Sequence, residues 1–355
     1  MLHRNSRVLT QEGYLEVSKL TGKETLQSLN YGYNLQSAEL KNFSMTRDIG
    51  SLVKVTTEKQ TLMFSSSLPV FMAHPRNTTH FDILLLEREY EGAALGVARP
   101  FPSLPDDEII AYRTSGGNKA KCERYWIIER HNNREKTLLG LHYLACHYGL
   151  PIVALSSGWQ GIDRQDLENF FKIESTIERA ESLRSDYGLK AYLSHLTIRL
   201  LDQIDQLRRL FIDFSLFSDH LGHKLNIGRL NEAEVNKRGV YRPIREESLT
   251  FESCSKALSY LNYHYPGEFV DIQIRAKFAG RYFSLFPASY IRQGMLLPTL
   301  EPGNVIGTEK VKNLEFMDSS DLLYCFSADD LPTLVIQGVI TANPIFEYWK
   351  KLGLT

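Results

Sequence analysis

The stretch EFVDIQIRAKF, at positions 268–278, alternates apolar residues with charged or amide residues. Successive side chains of a strand point to opposite faces, so this pattern predicts a strand with one apolar and one basic face. A short turn follows, and Arg281 begins the next strand on the same outward face. Because such side chains contact phosphates and base edges, we predict that Gln273, Arg275, Lys277 and Arg281 bind DNA.

Basic residues are also enriched upstream of this strand. They are Lys224, Arg229, Lys237, Arg238, Arg242 and Arg245. The whole chain has 41 Lys and Arg residues against 42 Asp and Glu, which gives a formal net charge of -1. Total charge therefore neither requires nor excludes a nucleic-acid partner, and only the local clustering favours one.

The four cysteines, Cys122, Cys146, Cys254 and Cys325, have neither CxxC spacing nor histidines at zinc-finger spacing. This pattern predicts no disulfide framework and no structural zinc site, so we expect a reducing compartment. The first residues, MLHRNSRVL, lack the apolar core of a secretory signal, and no apolar run is long enough to span a membrane. We therefore expect a soluble intracellular protein, in cytoplasm or nucleus, that does not bind membranes.

The length of 355 residues and the hydrophobic content of 43% allow a sizeable core and two or three domains. The first ~75 residues show short β-prone runs separated by turns, one around Gln11-Glu12-Gly13 and another around Glu58-Lys59-Gln60. The last residues repeat this texture, with strands over 322–326, 334–336 and from Val339 onward. Such matching ends predict one β-domain that is interrupted by an insertion.

The middle of the chain has a helical texture. REKTLLGLHYLACHYGL places Leu138, Leu141, Leu144, Ala145 and Tyr148 on one helix face, and Gly149 ends that helix. Long amphipathic helices are also predicted over 167–188 and over 191–217. A further helix over 250–265 is followed by the basic strand and its hairpin partner, so the order strand, helix, strand, strand is predicted from about Val240 to Phe286.

The two chain ends together resemble a Hint domain, the horseshoe-like β-fold of inteins and hedgehog autoprocessing domains. SRVLTQEGYLEV resembles the N-terminal intein block, and VKVTTEKQTLMFSSSLPVF the block that usually carries Thr-x-x-His. LLYCFSADDLPTLVIQGVITAN resembles the two C-terminal blocks, which end in His-Asn. The resemblance covers roughly the first 75 and the last 45 residues and implies peptide-splicing chemistry.

Several positions that the family uses for that chemistry are lost. Met1 stands where a Cys or Ser nucleophile is usual, Leu68 replaces the assisting histidine, and Ala342 replaces the penultimate histidine. The cyclising asparagine is present as Asn343, but Pro344 follows it instead of Cys, Ser or Thr. These replacements imply a degenerate splicing centre.

Two further residues match a class of inteins that dispenses with the first nucleophile and uses Cys, Thr and Trp. Cys325 and Thr341 match the Cys and the Thr, while Val70 stands at the Trp position. The resemblance implies a residual nucleophile at Cys325. The alternative is a small buried thiol that packs as a hydrophobic residue, which is common for Cys in strands.

Inteins often carry a homing endonuclease of the LAGLIDADG family where this insertion lies. That family pairs two αββαββα halves whose signature helices end in Asp residues that hold Mg²⁺. LFIDFSLFSDH resembles such a helix ending in Asp219, with Asp213 as a weaker candidate, whereas LLGLHYLACHYG has no terminal carboxylate. One aspartate where two are expected implies weakened or lost cleavage. The alternative role of Asp219 is a helix cap.

The resulting fold class is α+β, with an all-β Hint-like horseshoe and an inserted mixed α/β domain of αββαββα type. Its boundaries are a Hint-like part over 1–100, an inserted domain over 101–294, a second Hint-like part over 295–344 and a tail over 345–355. The first functional hypothesis is an intein-derived, monomeric protein that binds double-stranded DNA and needs Mg²⁺ if cleavage survives. The second is an autoprocessing domain with residual peptide cleavage at Asn343, and in a third case both activities are extinct.

Overall fold

In the computed structural model of the chain, the residues described are 2–30, 33–47, 50–75, 80–88, 92–98, 100–101, 111–112, 124–153, 176–191, 193–197, 210–218, 222–229, 244–248, 270–319, 322–328, 331 and 333–343. These ranges are mostly β-sheet and contain two α-helices. Met1, Asp219, Pro344 and the predicted helix over 250–265 lie outside them. Within them, neither helix has the length and apolar character needed to cross a membrane.

Eight short strands make up the N-terminal part of the chain. They are β1 (Leu2–His3), β2 (Arg7–Thr10), β3 (Gly13–Glu16), β4 (Thr25–Leu29), β5 (Leu35–Arg47), β6 (Gly50–Thr56), β7 (Thr61–Ser65) and β8 (Pro69–Met72). The two predicted hairpins are confirmed, since β2 pairs with β3 and β6 pairs with β7, both antiparallel.

Both α-helices lie in the middle part, together with seven strands. The strands are β9 (Phe81–Arg88), β10 (Gly92–Ala98), β11 (Pro100–Phe101), β12 (Ala111–Tyr112), β13 (Arg124–His131), β14 (Ile152–Val153) and β15 (Leu196–Thr197). The helices are α1 (Arg134–Tyr148) and α2 (Thr176–Asp186).

The described residues after β15 contain eleven strands. They are β16 (Leu210–Ser218), β17 (Gly222–Arg229), β18 (Ile244–Ser248), β19 (Val270–Phe278), β20 (Arg281–Pro287), β21 (Leu296–Glu301), β22 (Val305–Lys310), β23 (Asn313–Ser319), β24 (Leu322–Ala328), β25 (Thr333–Ile336) and β26 (Val339–Ala342). Two-residue turns with positive φ at both positions connect β19 to β20 and β25 to β26, as predicted.

The chain divides into two compact units. Unit 1 comprises Met1–Ala73, Leu207–Ile291 and Met295–Thr355, and unit 2 comprises His74–Gln206 and Arg292–Gly294. These boundaries differ from the expected ones, because β9 pairs with β10 and β13 in unit 2 while β20 pairs with β8 in unit 1.

Strands from both chain ends pair within unit 1. Leu2 of β1 lies opposite Tyr324 of β24 and Phe64 of β7, and Val8 of β2 lies opposite Ile336 of β25. The side chains of these five residues are buried. The prediction that both ends contribute to one β-unit is therefore confirmed.

A second run of paired strands in unit 1 has the order β18, β17, β16, β19, β20, β8, β26. Only the β16–β19 pairing among these is parallel. The prediction of a helix continuing to 217 is wrong at its C-terminal end, since Leu210–Ser218 is a strand. Its sequence LFIDFSLFS is rich in aromatic and β-branched residues, which favour strands, although its apolar positions also fit a helical period.

Unit 2 has a five-stranded sheet in the order β14, β10, β9, β13, β15. The predicted helix α1 is confirmed, with Asn133 capping its N-terminus and Gly149 ending it in the left-handed conformation. Leu141 and Leu144 are buried as predicted, whereas Leu138 is 37% exposed. Thr137 takes part in the buried face instead.

Candidate functional site

Cys325 lies in β24, opposite Ser44 of β5, at a point where the register shifts before Ser327. It is half-buried and forms no disulfide. Tyr324, its neighbour in the strand, pairs with Leu2 of β1. The structure thus places the predicted nucleophile position beside the first strand of the chain.

Thr341 and Ala342 are buried in β26. Thr341 lies opposite Val70 of β8, so the two residues at the Thr and Trp positions are paired. The Thr341 hydroxyl donates a hydrogen bond to the Leu334 carbonyl at 3.3 Å. Its proton is thereby engaged within the sheet, and Ala342 offers no group that could transfer one.

Asn343 directly follows β26, and its side chain is held on both sides of the amide. Its Oδ1 accepts from the Ala328 backbone N–H at 3.2 Å. Its Nδ2 donates to the carbonyls of Ala328 and Leu331, each at 2.6 Å. Cyclisation requires Nδ2 to attack the carbonyl carbon of Asn343 itself, but in this geometry that nitrogen is directed at two other carbonyls.

Leu68, which the Hint resemblance would align with the assisting histidine, has a buried side chain. Its backbone N–H donates to the Ser65 carbonyl, and its own carbonyl accepts from the Ala288 N–H. The residue therefore stabilises the turn before β8 and supplies no proton-transfer group there. Neither Leu68 nor Ala342 can act as the general acid or base that the family uses.

The register of the β19–β20 hairpin separates two of the predicted DNA-binding residues, Lys277 and Arg281. Residues directly opposite each other on paired strands lie on the same face, and Lys277 lies opposite Tyr282. Gln273 and Arg275 lie four and two positions before Lys277 in β19, where their backbone positions pair with Asp213 and Ser215 of β16. Arg281 lies opposite the buried Phe278, so its predicted place on the basic face is wrong. The two-residue turn determines this register.

Two tyrosines that the sequence did not single out contact Lys277, one at its side chain and one at its backbone carbonyl. Its Nζ lies 5.4 Å from the ring centroid of Tyr282, within the range of a cation–π contact. The hydroxyl of Tyr33 donates to the Lys277 carbonyl, and the Tyr33 ring meets Phe278 edge-on. Only the pairing of Lys277 with Tyr282 across the turn could have indicated the contact between them.

The register extends the polar character of this face over neighbouring strands. The first polar row consists of Arg245, Asn226, Asp213 and Gln273, in the order β18, β17, β16, β19. The second polar row consists of Glu247, Lys224, Ser215, Arg275 and Ser284, and reaches β20. We call these two rows, with Lys277 and Tyr282, the polar face.

An apolar row separates the two polar rows in register and belongs to the opposite face. It consists of Leu225, Phe214 and Ile274, with the charged Glu246 at its β18 end, and a second apolar row consists of Ile244, Ile227, Ile212 and Ile272. Farther along β19 and β20, Ala276, Phe278 and Phe283 are buried. In register, rows of polar residue types therefore alternate with rows of mostly apolar residue types.

The predicted Mg²⁺ would require a cluster of carboxylate ligands. No set of three or more His, Cys, Asp or Glu residues suited to a metal occurs in the described part of the chain. Asp213, the weaker candidate, lies in β16 between Asn226 and Gln273 in register. Asp219 lies outside the described residues.

Unit 2 contains a buried charged network that the sequence analysis did not identify. Arg130 of β13 binds Asp82 of β9 through Nε–Oδ1 at 2.5 Å and Nη2–Oδ2 at 2.7 Å. The same Nη2 donates to Nδ1 of His74 at 3.0 Å, because a guanidinium can only donate. Burial, and then the charge of Arg130, lower the pKa of His74. The sequence signal that could have revealed this network is the aspartate within the apolar run FDILLLER.

A second carboxylate, Glu129 of β13, contacts a residue of its own strand and a residue that follows α2. Glu129 accepts from the Tyr187 hydroxyl at 2.6 Å and lies 2.9 Å from Nε2 of His131. Burial, followed by this hydrogen bond, raises the pKa of Tyr187. Glu129 and His131 lie next to Gly140 of α1.

Comparison with models of known protein families gave no match, and comparison with curated proteins likewise found no significant similarity.

Proposed function

We propose that this protein binds double-stranded DNA through the polar face and descends from a Hint-type splicing domain whose splicing positions are lost. The observation that carries the proposal is the alternation of polar and apolar rows in register across β18, β17, β16 and β19. Arg, Lys, Asn and Gln residues on a sheet are suited to phosphates and base edges.

Charge and rigidity support this assignment. The polar face contains four cationic residues, Lys224, Arg245, Arg275 and Lys277, and two anionic ones, Asp213 and Glu247. Lys277 is held against Tyr282, so less side-chain entropy is lost when its ammonium group meets a phosphate. The acidic residues limit unspecific attraction and favour partners that offer donors, such as the amino groups of cytosine and adenine.

The descent from a Hint domain is supported by the chain ends. Strands β1, β24 and β26, which contain or adjoin the matching blocks, belong to one β-unit. The horseshoe form of that unit, an αββαββα relation of the inserted part, and a monomeric intracellular state belong to the same proposal. Cleavage of DNA would need Mg²⁺ held by carboxylates, and since Leu210–Ser218 is a strand, the signature helix expected to end in Asp219 does not support this part of the expectation.

A salt titration of duplex binding tests the proposal. Fluorescence anisotropy with a mixed-sequence duplex should show affinity that falls steeply with salt, because each neutralised phosphate contributes about -0.9 to the slope of log K against log[salt]. Replacing Arg275 and Lys277 with Gln should make that slope shallower by about 1.8. Arg281→Gln is the matched control and should leave the slope nearly unchanged, since Arg281 lies opposite Phe278. Absence of binding at low salt would overturn the proposal.

The alternative is residual peptide cleavage at Asn343. The observation that favours it is the retention of Asn343 in a buried position at the end of β26, where the family places its cyclising residue. The two hydrogen bonds donated by its Nδ2 oppose it. Release of a peptide that begins at Pro344, detected by mass spectrometry and abolished in Asn343→Ala, would favour this alternative.

A further inference from the structure

The Asn343 side chain binds backbone groups at both ends of the connection between β24 and β25. Ala328 is the last residue of β24, and Leu331 lies just before β25. Both residues are buried, and both of their carbonyls accept from Nδ2 of Asn343. Ala328 also donates its N–H to Oδ1 of the same side chain.

We propose that Asn343 is a structural clamp that attaches the end of β26 to the β24–β25 connection. Its amide bonds both the N–H and the C=O of Ala328, as a residue on a neighbouring strand would. The second bond of Nδ2 satisfies the Leu331 carbonyl. Backbone groups that are buried without a partner destabilise a protein, so this one side chain stabilises three of them.

The clamp accounts for the presence of asparagine at a position where splicing chemistry no longer requires it. Only a primary amide of this length offers two N–H donors and one acceptor from a single group. Aspartate has the same shape, but its carboxylate cannot donate and would face two carbonyl oxygens. Alanine removes all three hydrogen bonds. The identity of the residue is therefore explained by the fold, independently of DNA binding.

Chemical denaturation of Asn343→Ala and Asn343→Asp tests the clamp, with circular dichroism and with hydrogen exchange in the segment 322–331. We expect Asn343→Ala to lower the folding equilibrium constant of unit 1 on the order of a hundredfold. At neutral pH, Asn343→Asp should lower it further. The matched control is Asn313→Asp at an exposed position of β23, which should remain close to the wild type.

The acid dependence separates a clamp from a general loss of packing. Burial and the facing carbonyls raise the pKa of a carboxyl at position 343 in the folded state above its unfolded value of about 3.9. The stability of Asn343→Asp relative to the wild type is then highest at low pH and falls as pH rises through the raised pKa of the folded state. We therefore expect the defect of Asn343→Asp to shrink toward about pH 4, while that of Asn343→Ala stays constant.

Two results would overturn the clamp. One is wild-type stability of Asn343→Ala with unchanged exchange of the Ala328 N–H, and the other is a defect of Asn343→Asp that does not change with pH. If Asn343→Asp fails to fold at neutral pH, it is refolded in acid. Recovery of folding in acid supports the clamp. Without recovery, Asn343→Ala decides the question: reduced stability supports the clamp, and wild-type stability overturns it.

Discussion

Removing the charge of Asp82 should destabilise unit 2 strongly, because the Asp82–Arg130 pair is fully buried. Both side chains are 0% exposed, and they lie directly opposite each other on β9 and β13. Asp82→Asn preserves the shape but leaves the guanidinium charge in the interior without this carboxylate. Breaking a buried pair in this way costs about 3–5 kcal/mol of unfolding free energy.

The exposed pair Lys54–Glu315 provides the matched control, since these residues also lie directly opposite each other on neighbouring strands. Their side chains are 36% and 48% exposed, and their N–O distance is 2.9 Å. Glu315→Gln should therefore cost at most about 1 kcal/mol. Hydrogen exchange of β9 and of β23 by mass spectrometry measures each effect in its own unit. A loss below about 1 kcal/mol for Asp82→Asn would refute the reasoning.

Three further outcomes follow from the geometry. The stability of unit 2 should fall as pH decreases below about 6.5, because the lowered pKa of His74 keeps its ring neutral in the folded state while the unfolded state takes up a proton. His74→Gln should reduce this pH dependence in urea titrations at several pH values. An unchanged pH dependence in that variant would contradict the prediction. Gly294→Ala should destabilise the protein more than Gly303→Ala, by about 1–3 kcal/mol. Both glycines have similar positive φ values, but only at Gly294 would an added Cβ lie 2.7 Å from Nε2 of His80. Equal melting temperatures of the two variants would contradict this prediction. The purified chain should keep its full mass on prolonged incubation with and without thiol, because Leu68 and Ala342 cannot provide the acid–base assistance that is commonly worth ~10² to 10⁴-fold; a released tail beginning at Pro344 would contradict it.

The local hairpins were predictable because their signals are local. Turn residues between alternating runs predicted the β2–β3, β6–β7, β19–β20 and β25–β26 hairpins, and the capped apolar stripe predicted α1. The pairing of both chain ends has no local signal. It was inferred from matching strand texture and from the family resemblance.

The strand β16 shows where periodicity is insufficient. Leu210, Phe214 and Phe217 fit a helix face, and Leu210, Ile212 and Phe214 fit a strand face equally well. Pairing with β17 and β19 determines the outcome, and those partners are distant in the sequence. The same holds for Arg281, whose face depends on the register set by the turn.

Hydrogen bonds to distant backbone groups were beyond sequence reasoning. The sequence identified Asn343 through a resemblance to a reactive residue, whereas its contacts with Ala328 and Leu331 require the three-dimensional arrangement. Likewise, Asp82 and Arg130 are separated by 48 residues, and only their register across β9 and β13 brings them together.

Site-specific photo-crosslinking to duplex DNA tests the proposed polar face most directly. Tyr282 and Arg281 are consecutive residues of β20 on opposite faces, since Tyr282 lies opposite Lys277 and Arg281 lies opposite Phe278. A photoreactive phenylalanine analogue replaces each in turn, and circular dichroism verifies that both variants fold. If DNA binds the polar face, the analogue at position 282 gives a salt-sensitive DNA adduct and the one at position 281 gives much less. Equal adducts from both positions, or none from position 282 while duplex binding persists, would contradict this account.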